Sequence, residues 1–362
     1  LINKINNIYI YKNIINSQNY ISEMISKLSS ELLYIFDKSS NELKYKSSYE
    51  TNEISKLILN KISLPDNYKD IIPINNPNNI DKNNQNKIDI DIYNKITIIN
   101  SAIDKELANE ENDDAFFVLP SQLNGAEYPS HYTESIVTNI FSYKSDGTGG
   151  PRGQFAVHHA VGQFILDNAF NDNNKNGING VKYILDKTND IKLINGYLEV
   201  PEDNNEADKI LDNLNNLIII GMKNVLVNGQ YYNQTGGIFN NETEIHVNMI
   251  YASAIPIMGY TNNYTDPNLL KIANYIMIAE YYGSLECAYW HYKNKKKKFK
   301  IYLMPLGGGC FNNKYLDIKI NIITAIKLMN HKYNDWKNYL EIHILLYKEK
   351  DEYIHFRELY CR

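Results

Sequence analysis

Cysteine is scarce in this 362-residue chain, and Cys287, Cys310 and Cys361 stand apart from one another. No close pair exists, so neither a disulfide scaffold nor a zinc knuckle is indicated. Metal-binding spacing is lacking too. His246, His291, His331, His343 and His355 make no H-E-x-x-H pattern, and His158 and His159 are adjacent on an expected helix, where they point in different directions. No metal or other cofactor is expected. No apolar run reaches the roughly 18 residues of a membrane span, so no membrane partner is expected. A large excess of one charge is also missing. The net charge of -5 gives no support to nucleic acid as a main partner. The one strong basic block, "KNKKKKFK" from Lys293 to Lys300, reads as a solvated connection ahead of a strand, with a phosphate or acidic-partner patch as the alternative. The opening "LINKINNIYIYKNIIN" lacks a signal-peptide profile.

What is abundant is Asn, Ile, Lys and Tyr, with 30 tyrosines. Such usage matches the coding bias of an AT-rich genome, so "INNPNNIDKNNQNKIDIDI" carries no binding inference. Residues 1 to about 62 read as helical. "YISEMISKLSSELLYIF" sets Ile21, Met24, Ile25, Leu28, Leu32 and Leu33 on one stripe, and "ETNEISKLILNKI" repeats the pattern before Pro65 ends it. An Asn-rich loop over about 66–88 and a short helix near residue 100 follow. This gives a helical extension and linker over 1–105, then a domain over 106–362.

Within that domain "FFVLP" reads as a strand buried on both faces. "PRGQFAVHHAVGQFILDNAF" reads as a helix with Pro151 in its first turn. Further strands are expected at "NGYLEV", "NLIIIGMKNVLVNG", "EIHVNMIYASAIPI", "KIYLMPL" and "YLEIHILLY". Helices are expected at "PNLLKIANYIMIAEYYGSLECAYWHY" and "YLDIKINIITAIKLMNHK". Alternation of strand and helix argues for an α/β fold, a mixed sheet between helical layers. The polar region over about 166–216 reads as an insertion.

Three constellations carry chemistry. "LMPLGGGCFNNKY" joins a strand to a helix through Gly307, Gly308 and Gly309. Glycines expose their amides, consecutive N–H groups form an anion nest, and the helix start adds partial positive charge. The pattern is neither a Walker loop nor a dinucleotide fingerprint, and an ordinary tight turn is the plainer reading. Cys310, Phe311 and Asn312 follow; Phe311 has a ring that can stack on a sugar or base. "LPSQLNGAEYPSHY" sets Asn124 just past a strand end and Glu127 three residues on. An amide can orient a sugar hydroxyl and a carboxylate can act as base; a polar turn bent at Gly125 is the alternative. "SDGTGGPRG" offers Asp146, Gly149 and Gly150 ahead of a helix, a second backbone-lined cradle. Tyr251 and Ser253, at the end of another strand, are pocket-lining candidates.

Taken together, "FFVLPSQLNGAE", "GTGGPRGQFAVHHAVG" and "LMPLGGGCFNNKY" resemble the macrodomain superfamily, closest to divergent bacterial proteins that include secreted effectors hydrolysing ADP-ribose linkages. The resemblance covers roughly residues 110 to 355, with insertions. It implies a three-layer macrodomain-like fold with a crevice for ADP-ribose at the strand ends. Gly307, Gly308, Gly309, Cys310, Phe311 and Asn312 would hold the diphosphate and distal ribose, Gly149 and Gly150 the opposing wall, and Asn124 would contact the distal ribose, with Ser253 among the ligand-binding residues. Glu127 and Asp146 would serve the hydrolysis, assisted by Asn124, without metal. The implied partners are ADP-ribose or an ADP-ribosylated protein; the N-terminal helical region lies outside the resemblance, and bracing the sheet and recognising a protein partner are its two alternative roles. The alternative within the family is a reader that binds without turnover. "GTGGPRGQF" lacks the adjacent glutamates of poly(ADP-ribose) glycohydrolases, and Asp91, Asp113 and Asp114 are equal candidates for an adenine anchor. Cytoplasm and secretion both fit the resemblance.

Overall fold

The computed structural model of the chain describes residues 34–37, 42–45, 54–72, 95–101, 103–107, 109–125, 130–131, 179–203, 205–226, 229–232, 238–241 and 245–346. The chain divides into two compact units, Leu1–Ser55 and Lys56–Arg362. In the first, β1 (Tyr34–Asp37) and β2 (Glu42–Tyr45) form an antiparallel hairpin.

The second unit is built on a mixed sheet. In chain order its elements begin with β3 (Ile54–Lys61), α1 (Tyr68–Ile71), β4 (Ile96–Asn100), α2 (Ile103–Leu107) and β5 (Phe116–Pro120). Next come α3 (Lys182–Leu185), the antiparallel pair β6 (Lys192–Ile194) and β7 (Tyr197–Glu199), and α4 (Ala207–Asp212). β8 (Ile218–Leu226) is followed by a second small pair, β9 (Gly229–Tyr232) and β10 (Ile238–Asn241). The chain then runs through β11 (His246–Ala252), α5 (Pro267–Lys295), β12 (Phe299–Leu303), α6 (Tyr315–Lys332) and β13 (Leu340–Leu346). The sheet order is β3-β8-β11-β5-β12-β13-β4. Every neighbouring pair from β11 to β4 is parallel, while β8 runs antiparallel to both β3 and β11. The fold is therefore α/β with a mostly parallel mixed sheet and helices.

β5 sits at the centre of this order, and its residues Phe116 to Leu119 are closed to solvent on both faces. Alternation sends Phe116 and Phe117 to opposite sides. Phe116 meets the edge of Tyr292 from α5 at 5.7 Å, and Phe117 stacks on Tyr302 of β12 at 4.7 Å. Each such ring contributes on the order of 2 kcal/mol through burial. A continuous apolar run is what a two-sided strand requires.

α5 is the main covering helix. Asp266 caps it, accepting from the amides of Asn268 and Leu269 at 2.6 and 3.0 Å, with Pro267 at its first position. Its apolar residues run almost all round, because sheet covers one side and α6 another. A Cβ at Gly283 would lie 2.5 Å from both Ile219 and Ile62, so glycine there lets the helix press onto β8. The helix stops at Lys296, in the left-handed region with φ of 52°; the Lys297 amide closes the turn on the Tyr292 carbonyl at 3.0 Å.

The helical expectation for residues 1–62 is corrected wherever the chain is described. Tyr34–Asp37, Glu42–Tyr45 and Ile54–Lys61 are strands. "ISKLILNK" is a short apolar run whose periodicity fits helix or strand alike. Pairing with β8, Ile58 opposite Gly221 and Lys61 opposite Ile218, decides it. Residues 1–33 lie outside the described residues. β4, within the stretch expected to be linker and short helix, forms an edge of the sheet. The region 179–217 contributes Ile184, Leu193, Leu198, Ile210 and Leu214 to the core.

Candidate functional site

β11, β5 and β12 lie side by side and point the same way, so their carboxyl ends open at one edge of the sheet. The chain leaves β5 for β11 on one side, then crosses by α5 to β12 on the other. In open sheets such a reversal leaves a crevice where ligands bind.

The loop after β12 is the distinctive feature. Gly307 has φ of +72°, and a Cβ there would lie 2.5 Å from Ala254 Cβ and from Asn313 Nδ2. At Gly308 a Cβ would press on the Tyr315 ring at 2.8 Å. At Gly309 it would meet nothing within 4 Å among the described residues. The first two glycines answer to the fold and the third does not. Asn312, φ 58°, bends the chain back, and Asn313 closes the loop: its amide donates to the Gly307 carbonyl at 3.0 Å and its Nδ2 to the Ile255 carbonyl at 3.0 Å. The Gly308 amide makes one long contact to the Pro305 carbonyl, 3.5 Å. Among the described residues, the amides of Gly307, Gly309, Cys310 and Phe311 donate no hydrogen bond. Gly309 and Cys310 are exposed, and the Cys310 thiol is free. α6 starts directly after the loop with Lys314 as its cap, a residue with no side-chain acceptor to offer. Partial positive charge therefore collects at the helix start beside the loop.

An aromatic group borders this loop. Phe311 meets Tyr260 edge to face at 5.1 Å, Tyr260 stacks on Tyr197 at 5.1 Å, and Gln122 Nε2 donates to the Tyr197 hydroxyl at 3.2 Å. Asn124 stands at the end of β5 but is fully buried; a Cβ on Gly196 would lie 2.5 Å from its Oδ1. Ser253 is buried as well, and its hydroxyl donates to the Ala254 carbonyl at 3.0 Å. Tyr251 is buried, with its hydroxyl on Met249 Sδ at 3.6 Å, so it lines no opening. Glu127, Asp146, Gly149, Gly150, His158 and His159 lie outside the described residues, as does Asp91.

Asp113 and Asp114 stand at the opposite, amino end of the sheet. Asp113 accepts the His246 amide at 2.8 Å. Asp114 accepts from His291 Nε2 at 2.8 Å and Lys295 Nζ at 2.9 Å, with Lys297 at 3.7 Å. Burial alone would raise its carboxyl, but the hydrogen bonds from His291 and Lys295 outweigh burial and hold it well below the usual range. Neither aspartate reaches the glycine loop. The lysine block is only in part a connection: Lys293 and Lys295 belong to the last turn of α5, Lys296 to Lys298 join it to β12, and Lys300 lies in β12, with Lys295 and Lys297 turned to Asp114.

A cavity of about 230 Å³ also lies at the amino end, lined by Lys95, Lys298, Lys337, Trp336, Glu341 and His343 among others. It does not touch the glycine loop, and Lys298 and His343 already face Glu341 at 3.9 and 4.0 Å. The site is assigned to the carboxyl end because unused donors gather there. Among the described residues no cluster of three His, Cys, Asp or Glu is placed to hold a metal ion, and no helix is long and apolar enough to cross a membrane.

Sequence reasoning missed Tyr281, whose hydroxyl donates to the Met304 carbonyl at 2.6 Å and accepts the Leu306 amide at 2.9 Å at the end of β12, and its neighbour Glu280, a buried acid whose Oε2 has no hydrogen-bond partner. Their signal was visible: "IMIAEYYGS" sets a lone acid inside an apolar helical run. No protein-family model matches the chain, and a search of curated proteins returns no match.

Proposed function

We propose that the crevice at the carboxyl ends of β11, β5 and β12 binds ADP-ribose, and that the protein hydrolyses the bond joining ADP-ribose to a modified protein. The observation that carries the reading is the set of unused amides at Gly307, Gly309, Cys310 and Phe311, next to the lysine-capped start of α6. Backbone N–H groups without acceptors at a helix start suit a diphosphate, which brings several anionic oxygens to one place. Gly309 fits the same reading, since its missing side chain leaves room against the backbone. Phe311 and Tyr260, both half-buried and packed over the buried Tyr197 ring, supply aromatic surface for a ribose or base.

Cleavage at the anomeric carbon requires a proton for the leaving group and a base for the attacking water, work that carboxylates perform. Glu127 and Asp146 are the proposed carboxylates, from the segments that follow β5 in sequence. One observation favours a second reading, a module that binds without turnover: the Asn124 amide is closed beneath Gly196 rather than open to a sugar hydroxyl.

Calorimetry with ADP-ribose, AMP and ribose 5-phosphate tests the binding. Micromolar affinity for ADP-ribose, much weaker for the two fragments, is expected; no heat with ADP-ribose sinks the reading. Release of ADP-ribose from mono-modified protein then separates hydrolase from reader. Rates unchanged in both Glu127→Gln and Asp146→Asn would remove those assignments, and binding with no release from any linkage would leave the reader.

A further inference from the structure

The close pairing around Asp114 and Asn112 does not extend to the β13–β4 side of the sheet. There the chain enters three neighbouring parallel strands through lysines: Lys298 immediately before β12, Lys95 immediately before β4, and Lys337 in the turn that leads into β13. All three line the cavity of about 230 Å³, together with Thr97, Glu341 and His343. Three ammonium groups thus share one space with a single carboxylate. Lys298 Nζ and Glu341 Oε1 stand 3.9 Å apart, longer than a hydrogen bond, and both side chains are nearly half exposed. An ion pair this open is worth little. Lys95 makes no ion pair among the described residues.

His343 adds a donor of another kind. Its ring lies against Tyr302 of β12, centroids 5.1 Å apart, and Thr97 of β4 stands opposite it in register. Its Nδ1 is buried with no hydrogen-bond partner. Its Nε2 faces Glu341 Oε2 at 4.0 Å, again too far to bond. The imidazole proton therefore belongs on Nε2, the nitrogen with an acceptor in view. Burial, and then the charge of Lys300, hold the ring below the ordinary histidine value against the pull of Glu341 and Glu106. The ring is therefore neutral at neutral pH and offers its N–H on the Glu341 side.

We propose that this cavity is a second anion site, for a phosphate group carried by inorganic phosphate or by a small phosphate monoester. Lys95, Lys298 and Lys337 against Glu341 leave an excess of two positive charges. A phosphate monoester carries close to two negative ones at neutral pH. Ammonium groups are point charges without the guanidinium fork, which suits a tetrahedral oxyanion better than a planar carboxylate. Trp336 and Ile342, both closed to solvent, form an apolar floor that strengthens the attraction. The volume falls below the roughly 300–1,000 Å³ of pockets for drug-sized ligands, which favours a single phosphate over a nucleotide. The site stands apart from the glycine loop, which follows the other end of β12, and does not depend on the ADP-ribose reading.

The test is a titration of the 15N-labelled full chain with inorganic phosphate and with glycerol phosphate, at neutral pH and constant ionic strength. The amides of Lys95, Lys298, Glu341 and His343 should shift along one saturable curve, while chloride at the same ionic strength moves none of them. Lys298→Gln should weaken binding about fivefold, the upper range for one half-exposed charge. Glu341→Gln should tighten it by a similar factor, because it removes the acid that competes for the lysines. His343→Phe keeps a ring against Tyr302 but loses the donor, and should weaken binding about tenfold. Melting should be unchanged in Lys298→Gln and Glu341→Gln. Glycerol phosphate that binds as tightly as phosphate assigns the site to a monoester; binding of phosphate alone assigns it to the free ion. No saturable shift with either, or shifts that chloride reproduces and Glu341→Gln leaves unchanged, overturns the proposal. The loop amides from Gly307 to Phe311 are read in the same spectra, so failure here leaves the ADP-ribose reading standing, and failure there leaves this site standing.

Discussion

The two ends of the sheet treat their polar groups in opposite ways. At the amino end Asp114 is surrounded by donors: His291 and Lys295 reach its carboxylate, and its carbonyl accepts from Tyr292 and Asn248 at 2.8 and 2.9 Å. Tyr302 and Lys300 close on Asn112 Oδ1 at 2.8 and 3.0 Å. At the carboxyl end, the amides of Gly307, Gly309, Cys310 and Phe311 find no acceptor among the described residues, and the buried acid Glu280 keeps one oxygen unpaired. Paired groups secure the fold. Groups left unpaired cost stability and mark the place where a ligand can supply what is missing. The difference between the ends, rather than the glycines alone, locates the site.

Substitutions at the two ends should therefore differ in what they damage. The largest loss of stability is expected from Asp114→Ala, about 3 kcal/mol, because it strands partly buried cationic and amide donors; chemical denaturation measures it, and ADP-ribose affinity should survive in the folded fraction. The same carboxylate sets an acid limit. Its depressed folded value means that its contribution is present above about pH 3.9, the unfolded value, and is lost as pH falls through the folded one. Asp114→Ala should lack that acid-linked decline.

Gly307→Ala comes next, at about 2 kcal/mol, from a side chain forced into the left-handed region against Ala254 and Asn313. Tyr281→Phe follows at about 1–2 kcal/mol, since it leaves the Leu306 amide and Met304 carbonyl without their bridge. Gly309→Ala should be the mildest and the most telling. With space around it and no left-handed backbone, it should leave melting unchanged or raise stability by about 0.5 kcal/mol through the unfolded chain, yet weaken ADP-ribose binding. Equal damage to folding from the Gly307 and Gly309 substitutions would erase the distinction between structural and ligand-facing glycine.

Some of this was legible in the sequence. α6 matches "YLDIKINIITAIKLMNHK" end to end, and α5 begins at its expected proline, because long periodic segments with clear start signals leave little choice. β5, β8, β11, β12 and β13 were visible as apolar runs between turn signals. β3 was not, because an eight-residue run gains its identity from the partner strand, and the partner lies far along the chain. The glycine triplet could be read as unusual, but which glycine the fold required depends on Ala254, Asn313 and Tyr315 in space. Asp113 and Asp114 were plausible base anchors only while the direction of β5 was unknown. Once the strand is oriented, residues before it and residues after it stand at opposite ends.

The central claim is that backbone amides of the glycine loop grip a nucleotide diphosphate. The most direct measurement is a titration of the 15N-labelled protein with ADP-ribose, following the amide resonances of Gly307, Gly309, Cys310 and Phe311 against those of Asp114 and His291. The loop amides should shift in proportion to occupancy, and inorganic pyrophosphate should move the same set, while the amino-end signals stay still. Saturating ADP-ribose that leaves the loop amides unmoved would contradict the account.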